Sequence, residues 1–123
     1  DCLLSRGLGD VYKRQSHGNK AESINLFEAA NIVEDRGVGE LFIQNIDLDG
    51  SAKGFDLEII NSLLNKVNIP VIACSGAGNT DHFIEVASID KISGIAAGNI
   101  FNFKERAYPI TKEKLIDEGI NVR

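Results

Sequence analysis

The chain has few cysteines, no excess of positive charge and no long apolar run, and each shortage excludes a class of protein. Two cysteines in 123 residues are too few for the disulfide framework of a small secreted domain. The formal net charge is −5, which argues against a basic surface for nucleic acid. No apolar run reaches the ~18 residues of a membrane span, and no signal-peptide pattern is present. We therefore expect a cytoplasmic protein with no membrane or nucleic-acid partner.

Residues 1–15 differ from the rest of the chain because they show no hydrophobic period of either kind. Their tail, Asp10-Val11-Tyr12-Lys13-Arg14-Gln15, resembles a translated sequencing adapter, and artefacts of this kind are set aside before a fold is considered. We predict that residues 1–15 are not part of the fold and that residues 16–123 form one domain. The alternative is a natural, weakly structured arm.

Three apolar segments, residues 41–46, 70–74 and 95–97, each run into a turn rich in glycine or aspartate. Near-continuous apolar runs of this kind are typical of parallel strands that are buried on both faces. Helical spacing of apolar residues predicts helices between and around them. These cover residues 22–36, a segment capped by Asp56 and ending near Val67, a segment capped by Thr80, and a segment from Pro109 to Gly119. The pattern predicts an α/β fold of repeated βα units.

The turns after the second and third predicted strands favour phosphate binding. Glycines at positions 76, 78 and 98 permit positive φ and leave room for an anion beside main-chain N–H groups. A short helical turn from Asn99 would add free N–H groups. We expect Gly76→Val to abolish phosphate binding with limited harm to the fold. The alternative is that these glycines serve loop geometry alone.

Asp47 and Asp49 follow the first predicted strand. If the strand continues through them, both carboxylates share one face, where they could divide acid and base roles or hold a substrate hydroxyl. They could instead form an Asx turn before Gly50, in which one of them bonds its own backbone.

The other polar candidates give weaker signals. Cys74 fits a small buried strand residue better than a nucleophile. His17 and His82 are far apart in sequence, and His82 falls within a predicted helix, so no metal site is expected. Residues 104–106 fit a solvated loop better than an anion clamp. No cofactor is indicated.

Most of the chain, from Ser16 to Arg123, resembles the second half of the cyclase subunit of imidazole glycerol phosphate synthase. The segments that carry the resemblance are Gly37-Val38-Gly39-Glu40-Leu41, Asn45-Ile46-Asp47-Leu48-Asp49-Gly50, Gly54-Phe55-Asp56, Ile69-Pro70-Val71-Ile72-Ala73, Ser75-Gly76-Ala77-Gly78, Asn99-Ile100-Phe101-Asn102-Phe103 and Gly119-Ile120-Asn121-Val122-Arg123.

This resemblance implies a fold and a reaction. The fold is the C-terminal half of a (βα)8 barrel, from helix five through helix eight. The enzyme acts in histidine biosynthesis as a lyase and cyclase. Ammonia from a glutaminase partner adds to a phosphorylated carboxamide substrate, and cyclisation then gives imidazole glycerol phosphate.

The resemblance also assigns site residues. Substrate and phosphate contacts fall on Asp49, Gly50, Gly76, Gly98 and Asn99. Glu40 matches an acid in the charged ring through which ammonia enters the barrel. The two aspartates of acid–base catalysis belong to strands one and five of the family, and neither has a counterpart here. No catalytic residue is therefore assigned, and the chain alone is expected to be inactive.

The last phosphate turn, Gly98-Asn99, departs from the Ala-Ser expected of histidine-pathway enzymes. It is similar to a paralogous branch that uses glutaminase-derived ammonia to build amidino groups on surface-polysaccharide sugars. A third possibility is a βα fragment that binds anions without turnover.

Overall fold

The computed structural model describes residues 2–6, 12–15 and 20–122. Within these residues the strands are β1 Cys2–Arg6, β2 Tyr12–Gln15, β3 Lys20–Asn25, β4 Leu41–Asn45, β5 Val71–Cys74 and β6 Ile92–Ala96. The helices are α1 Leu26–Asp35, α2 Leu57–Leu64, α3 Thr80–Ala87, α4 Asn99–Phe103 and α5 Ala107–Asp117. None of the helices in this part of the chain is long and apolar enough to cross a membrane.

The main sheet is parallel, with the strand order β1-β4-β5-β6. Helix α2 connects β4 to β5, and α3 connects β5 to β6, so the chain repeats the βα unit that the sequence predicts. Strands β2 and β3 form a separate antiparallel pair. The predicted α/β fold with parallel strands is confirmed, and it is consistent with part of a (βα)8 barrel.

One face of the sheet carries the hydrophobic core. Leu41 and Val71 are fully buried there against residues of α1, α2 and α3. The prediction that the strands are buried on both faces is wrong, because burial alternates along β4 and β5. The half-buried residues of the other face are Phe42, Gln44, Ile72 and Cys74. Among the described residues, those of α1, α2 and α3 pack against the first face, which explains its greater burial.

A second apolar cluster positions the end of the chain. Phe83 of α3 packs against Phe101 of α4 with ring centroids 5.8 Å apart, and Phe101 in turn packs against Tyr108 of α5 at 5.7 Å. Ile100 is buried in the same cluster. The short helix α4 is therefore held by its apolar side against α3 and α5.

Three element boundaries differ from prediction for local reasons. Helix α1 begins at Leu26 rather than residue 22, because Asn25 ends β3 and caps the helix by accepting the Phe27 N–H at 2.8 Å. The cap of α3 is Asn79, which accepts the His82 N–H at 3.1 Å, so Thr80 is the first helical residue. Helix α5 begins two residues before Pro109, a position in the first turn where proline leaves no hydrogen bond unmade.

The third predicted strand is also longer than expected. Strand β6 begins at Ile92, three residues before the apolar segment 95–97. Gly94 interrupts the hydrophobic pattern, yet it pairs with Ile72 of β5. A Cβ atom at Gly94 would lie 3.3 Å from the Ile72 side chain. The lack of a side chain at Gly94 therefore leaves room for Ile72 of the adjacent strand.

The prediction for the first fifteen residues requires a correction. We predicted that they take no part in the fold, but Cys2–Arg6 forms β1 and pairs with β4 in register Cys2 to Leu41. Tyr12–Gln15 forms β2 against β3. Pairing with β1 supplies partners for the backbone groups along the free edge of β4, which otherwise lack them. That this segment is artefactual stays a prediction. His17 lies outside the described residues.

Candidate functional site

Three loops meet at the carboxyl edge of the sheet, where parallel folds bind ligands. They are the loop between β4 and α2 (residues 46–56, the central loop), the loop between β5 and α3 (residues 75–79, the β5 loop), and residues 97–98 between β6 and α4 (the β6 loop). Because β4, β5 and β6 are adjacent and parallel, the three loops emerge side by side.

The central loop contacts the start of α4 and the β5 loop at glycine positions. A Cβ atom built on Gly50 would lie 2.7 Å from Asn99 Nδ2, so the Asn99 side chain lies directly over Gly50. Two residues further, Ala52 packs against Gly78 of the β5 loop. The structure thus brings Gly50 and Asn99 together, as expected if both face one ligand.

Gly76 has a different environment from the one we expected. It is buried, its φ is +99°, and its carbonyl accepts the Gly54 N–H at 2.8 Å. A Cβ atom there would overlap Gly54 O and lie 2.7 Å from Gly54 C. The expectation that Gly76→Val does limited harm to the fold is therefore wrong, because backbone occupies the space that the side chain needs. A phosphate contact at Gly76 stays a prediction.

Gly98 lies in open space. It is exposed, and no heavy atom lies within 4 Å of a Cβ built on it. Its φ of −113° is available to any residue, and no side chain caps α4 at this end. The short helical turn predicted from Asn99 is confirmed as α4. Gly98 is therefore the position at which a side chain can be added to the site without disturbing the fold.

The two aspartates lie in a turn rather than on an extended strand. The oxygen Oδ1 of Asn45, the last residue of β4, accepts the N–H groups of Asp47 and Leu48 at 3.1 and 3.2 Å. An Asx turn is present, but Asn45 forms it, so our assignment of that turn to Asp47 or Asp49 is wrong. The prediction that the Asp47 and Asp49 carboxylates share one face of a strand is also wrong, because β4 ends before both residues.

Asp49 points back over the end of the sheet. Its Oδ2 accepts a hydrogen bond from Gln44 Nε2 at 3.3 Å. Gln44 pairs in register with Cys74 of β5. Partial burial raises the pKa of the Cys74 thiol, and the negative charge of Asp49 raises that pKa further. Hydrogen bonds from Ser75 oppose these two effects. The thiol is therefore held in its neutral form, which disfavours a nucleophilic role.

Glu40 lies at the opposite end of the sheet. It is exposed and directly precedes β4, so it is at the amino edge, away from the three loops. This is the end at which the resemblance places the ammonia entrance. The structure therefore separates Glu40 from the phosphate candidates Gly50, Gly98 and Asn99.

Two residues that the sequence reasoning set aside organise the β5 loop. His82 Nδ1 accepts the Gly78 N–H at 3.1 Å, and its ring packs 3.6 Å from the Gly54 Cβ position. Lys104 Nζ donates to Gly78 O at 2.7 Å. His82 lies in a helix as predicted, and its four-residue spacing from Gly78 is the feature of the sequence that indicates this local contact. No signal in the sequence links Lys104 to Gly78.

The described residues hold no group of three or more His, Cys, Asp or Glu side chains arranged for a metal ion. The polar groups at the carboxyl edge are instead backbone groups of the three loops together with separate carboxylate, amide, thiol, imidazole and ammonium side chains, among them those of Asp49, Asn99, Cys74, His82 and Lys104. This composition suits hydrogen bonding to a polar or anionic small molecule.

The two candidate glycines should respond differently to substitution. Gly76→Ala forces a Cβ into the Gly54 backbone at positive φ, so we expect it to lower the free energy of unfolding by at least about 2 kcal/mol. Gly98→Ala adds the same atom in open space and should change stability by less than about 0.5 kcal/mol. Urea unfolding of both variants measures the difference. Equal stabilities would contradict the described packing.

The thiol provides a second test. In a Cys2→Ala background, Asp49→Asn removes a negative charge near Cys74, so the pKa of the thiol should fall. The pH at which iodoacetamide alkylation reaches half its maximum rate should fall with it. Asp47→Asn removes the same charge from the same turn and serves as the control, because Asp47 is not among the groups that raise this pKa. An equal shift in both variants would show that Asp49 has no special proximity to the thiol.

Comparison with known protein families gives a consistent result. Residues 6–107 match the family model described as histidine biosynthesis protein. Among curated relatives, the chloroplastic imidazole glycerol phosphate synthase hisHF of Arabidopsis thaliana is 44% identical over 108 residues, covering 88% of this chain and 18% of that protein. The imidazole glycerol phosphate synthase subunit HisF of Leuconostoc mesenteroides is 37% identical over 119 residues, covering 97% of this chain and 46% of the relative.

The HisF subunit of Caulobacter vibrioides is 38% identical over 106 residues, covering 86% of this chain and 41% of the relative. The chain therefore spans less than half the length of these relatives. The match to the family model extends over β4, β5, β6 and the three loops at their carboxyl ends. The chain is similar to the imidazole glycerol phosphate synthase subunit HisF of several organisms, and it belongs to the histidine biosynthesis protein family.

Proposed function

We propose that this chain is the phosphate-binding half of a cyclase that forms imidazole glycerol phosphate from ammonia and a phosphorylated carboxamide substrate. The observation that carries the proposal is the meeting of Gly50 and Asn99 beside the open backbone of Gly98. A phosphate group needs close backbone approach and hydrogen-bond donors. These three residues offer both at the edge where parallel βα folds bind ligands.

In this proposal different residues contact different groups of the substrate. Gly98 leaves space for the phosphate, and the Asn99 side-chain amide is available to donate a hydrogen bond. Asp49 accepts a substrate hydroxyl in place of Gln44, its present hydrogen-bond partner. Gly76 keeps the β5 loop against the central loop, and its backbone is also proposed to contact the phosphate. None of these groups is assigned a proton-transfer step.

The partner proposed from the relatives' names is a glutaminase that supplies ammonia. Glu40 is the residue of this chain that we propose at the ammonia entrance, because it is exposed at the amino edge of the sheet. Ammonia would then approach from the end opposite to the phosphate. A cytoplasmic location stays a prediction from the sequence.

One observation favours a paralogous substrate. The turn reads Gly98-Asn99 where Ala-Ser is expected of histidine-pathway enzymes, and the Asn99 side-chain amide lies against Gly50, which a shorter serine side chain would approach less closely. The second candidate is therefore amidination of a surface-polysaccharide sugar by the same ammonia-dependent chemistry. Turnover of the carboxamide substrate by a barrel completed with this chain would exclude that candidate as the main activity.

Phosphate binding can be tested at Gly98. Saturating ribose 5-phosphate, at ~100 times its Kd, should stabilise the chain by about 2.7 kcal/mol, measured as a rise in Tm. Gly98→Val fills the open space and should remove the rise without changing the Tm of the free protein. Gly39→Val is the matched control, because Gly39 is also exposed with open space around its Cβ position but lies at the amino edge. An unchanged ligand response in Gly98→Val would contradict the site.

Catalysis needs groups that this chain lacks. A well-placed general acid or base contributes on the order of 10²–10⁴-fold, and the two aspartates implied by the resemblance have no counterpart here. We expect no measurable cyclisation by the chain with free ammonium, and recovered activity when it is mixed with a half-barrel supplying strands one to five. Turnover by the chain alone that disappears in Asp47→Asn would place catalysis in this half and contradict the proposal.

A further inference from the structure

Lys104 is an exposed residue with a fixed polar contact. It directly follows α4, and its Nζ donates to Gly78 O at 2.7 Å across 26 residues of sequence. The contact joins the end of α4 to the β5 loop. It is therefore a link between the segment that follows β6 and the loop that follows β5.

The acceptor is held firmly in place. The N–H of Gly78 donates to His82 Nδ1 at 3.1 Å, and a Cβ atom on Gly78 would lie 2.7 Å from the Ala52 side chain. The peptide units on both sides of Gly78 are thus fixed, one by α3 and the other by the ammonium of Lys104. The carbonyl oxygen that accepts the Lys104 hydrogen bond is therefore held in a fixed position.

Helix α4 spans the distance between the two contacts. Its first residue, Asn99, lies over Gly50 of the central loop, and the residue after its last turn, Lys104, reaches Gly78. Five helical residues rise about 7.5 Å. Phe101 and Ile100 hold the apolar side of α4 against the second cluster. The polar contact at Lys104 adds a direct connection between the end of α4 and the β5 loop.

We propose that Lys104 is a positioning residue that sets the spacing between the β6 loop with Asn99 and the β5 loop, and thereby preorganises the anion site. The inference rests on the proposed function, since it concerns the same phosphate. An exposed hydrogen bond of this kind contributes little to folding. Its effect is therefore expected in ligand affinity rather than in the stability of the free protein.

The test is titration of the full chain with inorganic phosphate, followed by the amide NMR signals of Gly98 and Asn99 and of Gly76 and Ala77. In the wild type both pairs should shift with one common Kd. Lys104→Met keeps the aliphatic stem and removes the donor, so the Kd should rise about five-fold, the equivalent of one net hydrogen bond. The shifts of the Gly76 and Ala77 signals at saturation should also become smaller relative to those of Gly98 and Asn99, because the β5 loop is no longer held beside the bound phosphate.

Two further variants separate this role from general effects of charge. Lys104→Arg retains a donor at this position and should restore a Kd within about two-fold of wild type. Lys66→Met removes a positive charge from an exposed residue beyond the end of α2 and should leave the Kd unchanged. The Tm of each free variant should stay within about 2 °C of wild type.

The outcomes can be told apart. A wild-type chain that shows no response to phosphate contradicts the proposed function itself. A wild-type response that Lys104→Met leaves unaltered overturns only the role of Lys104. Equal weakening by Lys66→Met would likewise overturn it, because the effect would then depend on net charge. No recovery in Lys104→Arg would also overturn it, because a charged donor at this position would then not be what sets the Kd.

Discussion

The close approach of two backbones, at Gly54 and Gly76, is the constraint on which the carboxyl edge of this molecule depends. The Gly54 N–H donates to Gly76 O at 2.8 Å, and no side chain fits between the two segments. A Cβ atom at position 76 would overlap Gly54 O, so this approach requires glycine there, and both residues have positive φ, +103° at Gly54 and +99° at Gly76. It brings the central loop across the end of β5, where Gly50 then faces Asn99.

The same constraint explains how a small sheet can present a shaped site. Parallel strands place their loops along one edge, but they do not by themselves bring those loops into contact. Here the glycine contacts, the Asx turn of Asn45 and the ring of His82 join the loops into one surface. Asn45 also donates from Nδ2 to Asp56 Oδ2 at 3.2 Å, which ties the start of the central loop to the cap of α2. The surface is thus continuous from strand to helix.

The sequence allowed the fold class to be predicted because apolar periodicity reports local burial, and βα repetition leaves few alternatives. The sequence was less informative about which face of each strand is buried and about how the loops pack against one another. Strands β4 and β5 consist mainly of apolar residues on both faces. Which of the two faces is buried therefore depends on the side against which the helices pack. Gly76 and Gly98 have the same identity in sequence, yet one is enclosed by backbone and the other is open. That difference arises from the path of the central loop, which no local pattern encodes. Lys104 likewise contacts Gly78 through the placement of α4.

The order of the strands in the main sheet has a consequence for how the chain folds during its synthesis. Strands β4, β5 and β6 are neighbours in space in the same order as in sequence, so each new strand pairs with the one synthesised just before it. Paired residues of consecutive strands are separated by one βα unit, as in Leu41 with Val71 and Val71 with Ile92, so no strand of this set pairs with a more distant one. Each βα unit can therefore dock as it leaves the ribosome, without waiting for a distant segment. The central loop, emerging after β4, would be closed only when Gly76 has been added, so the carboxyl edge is completed one loop at a time during translation.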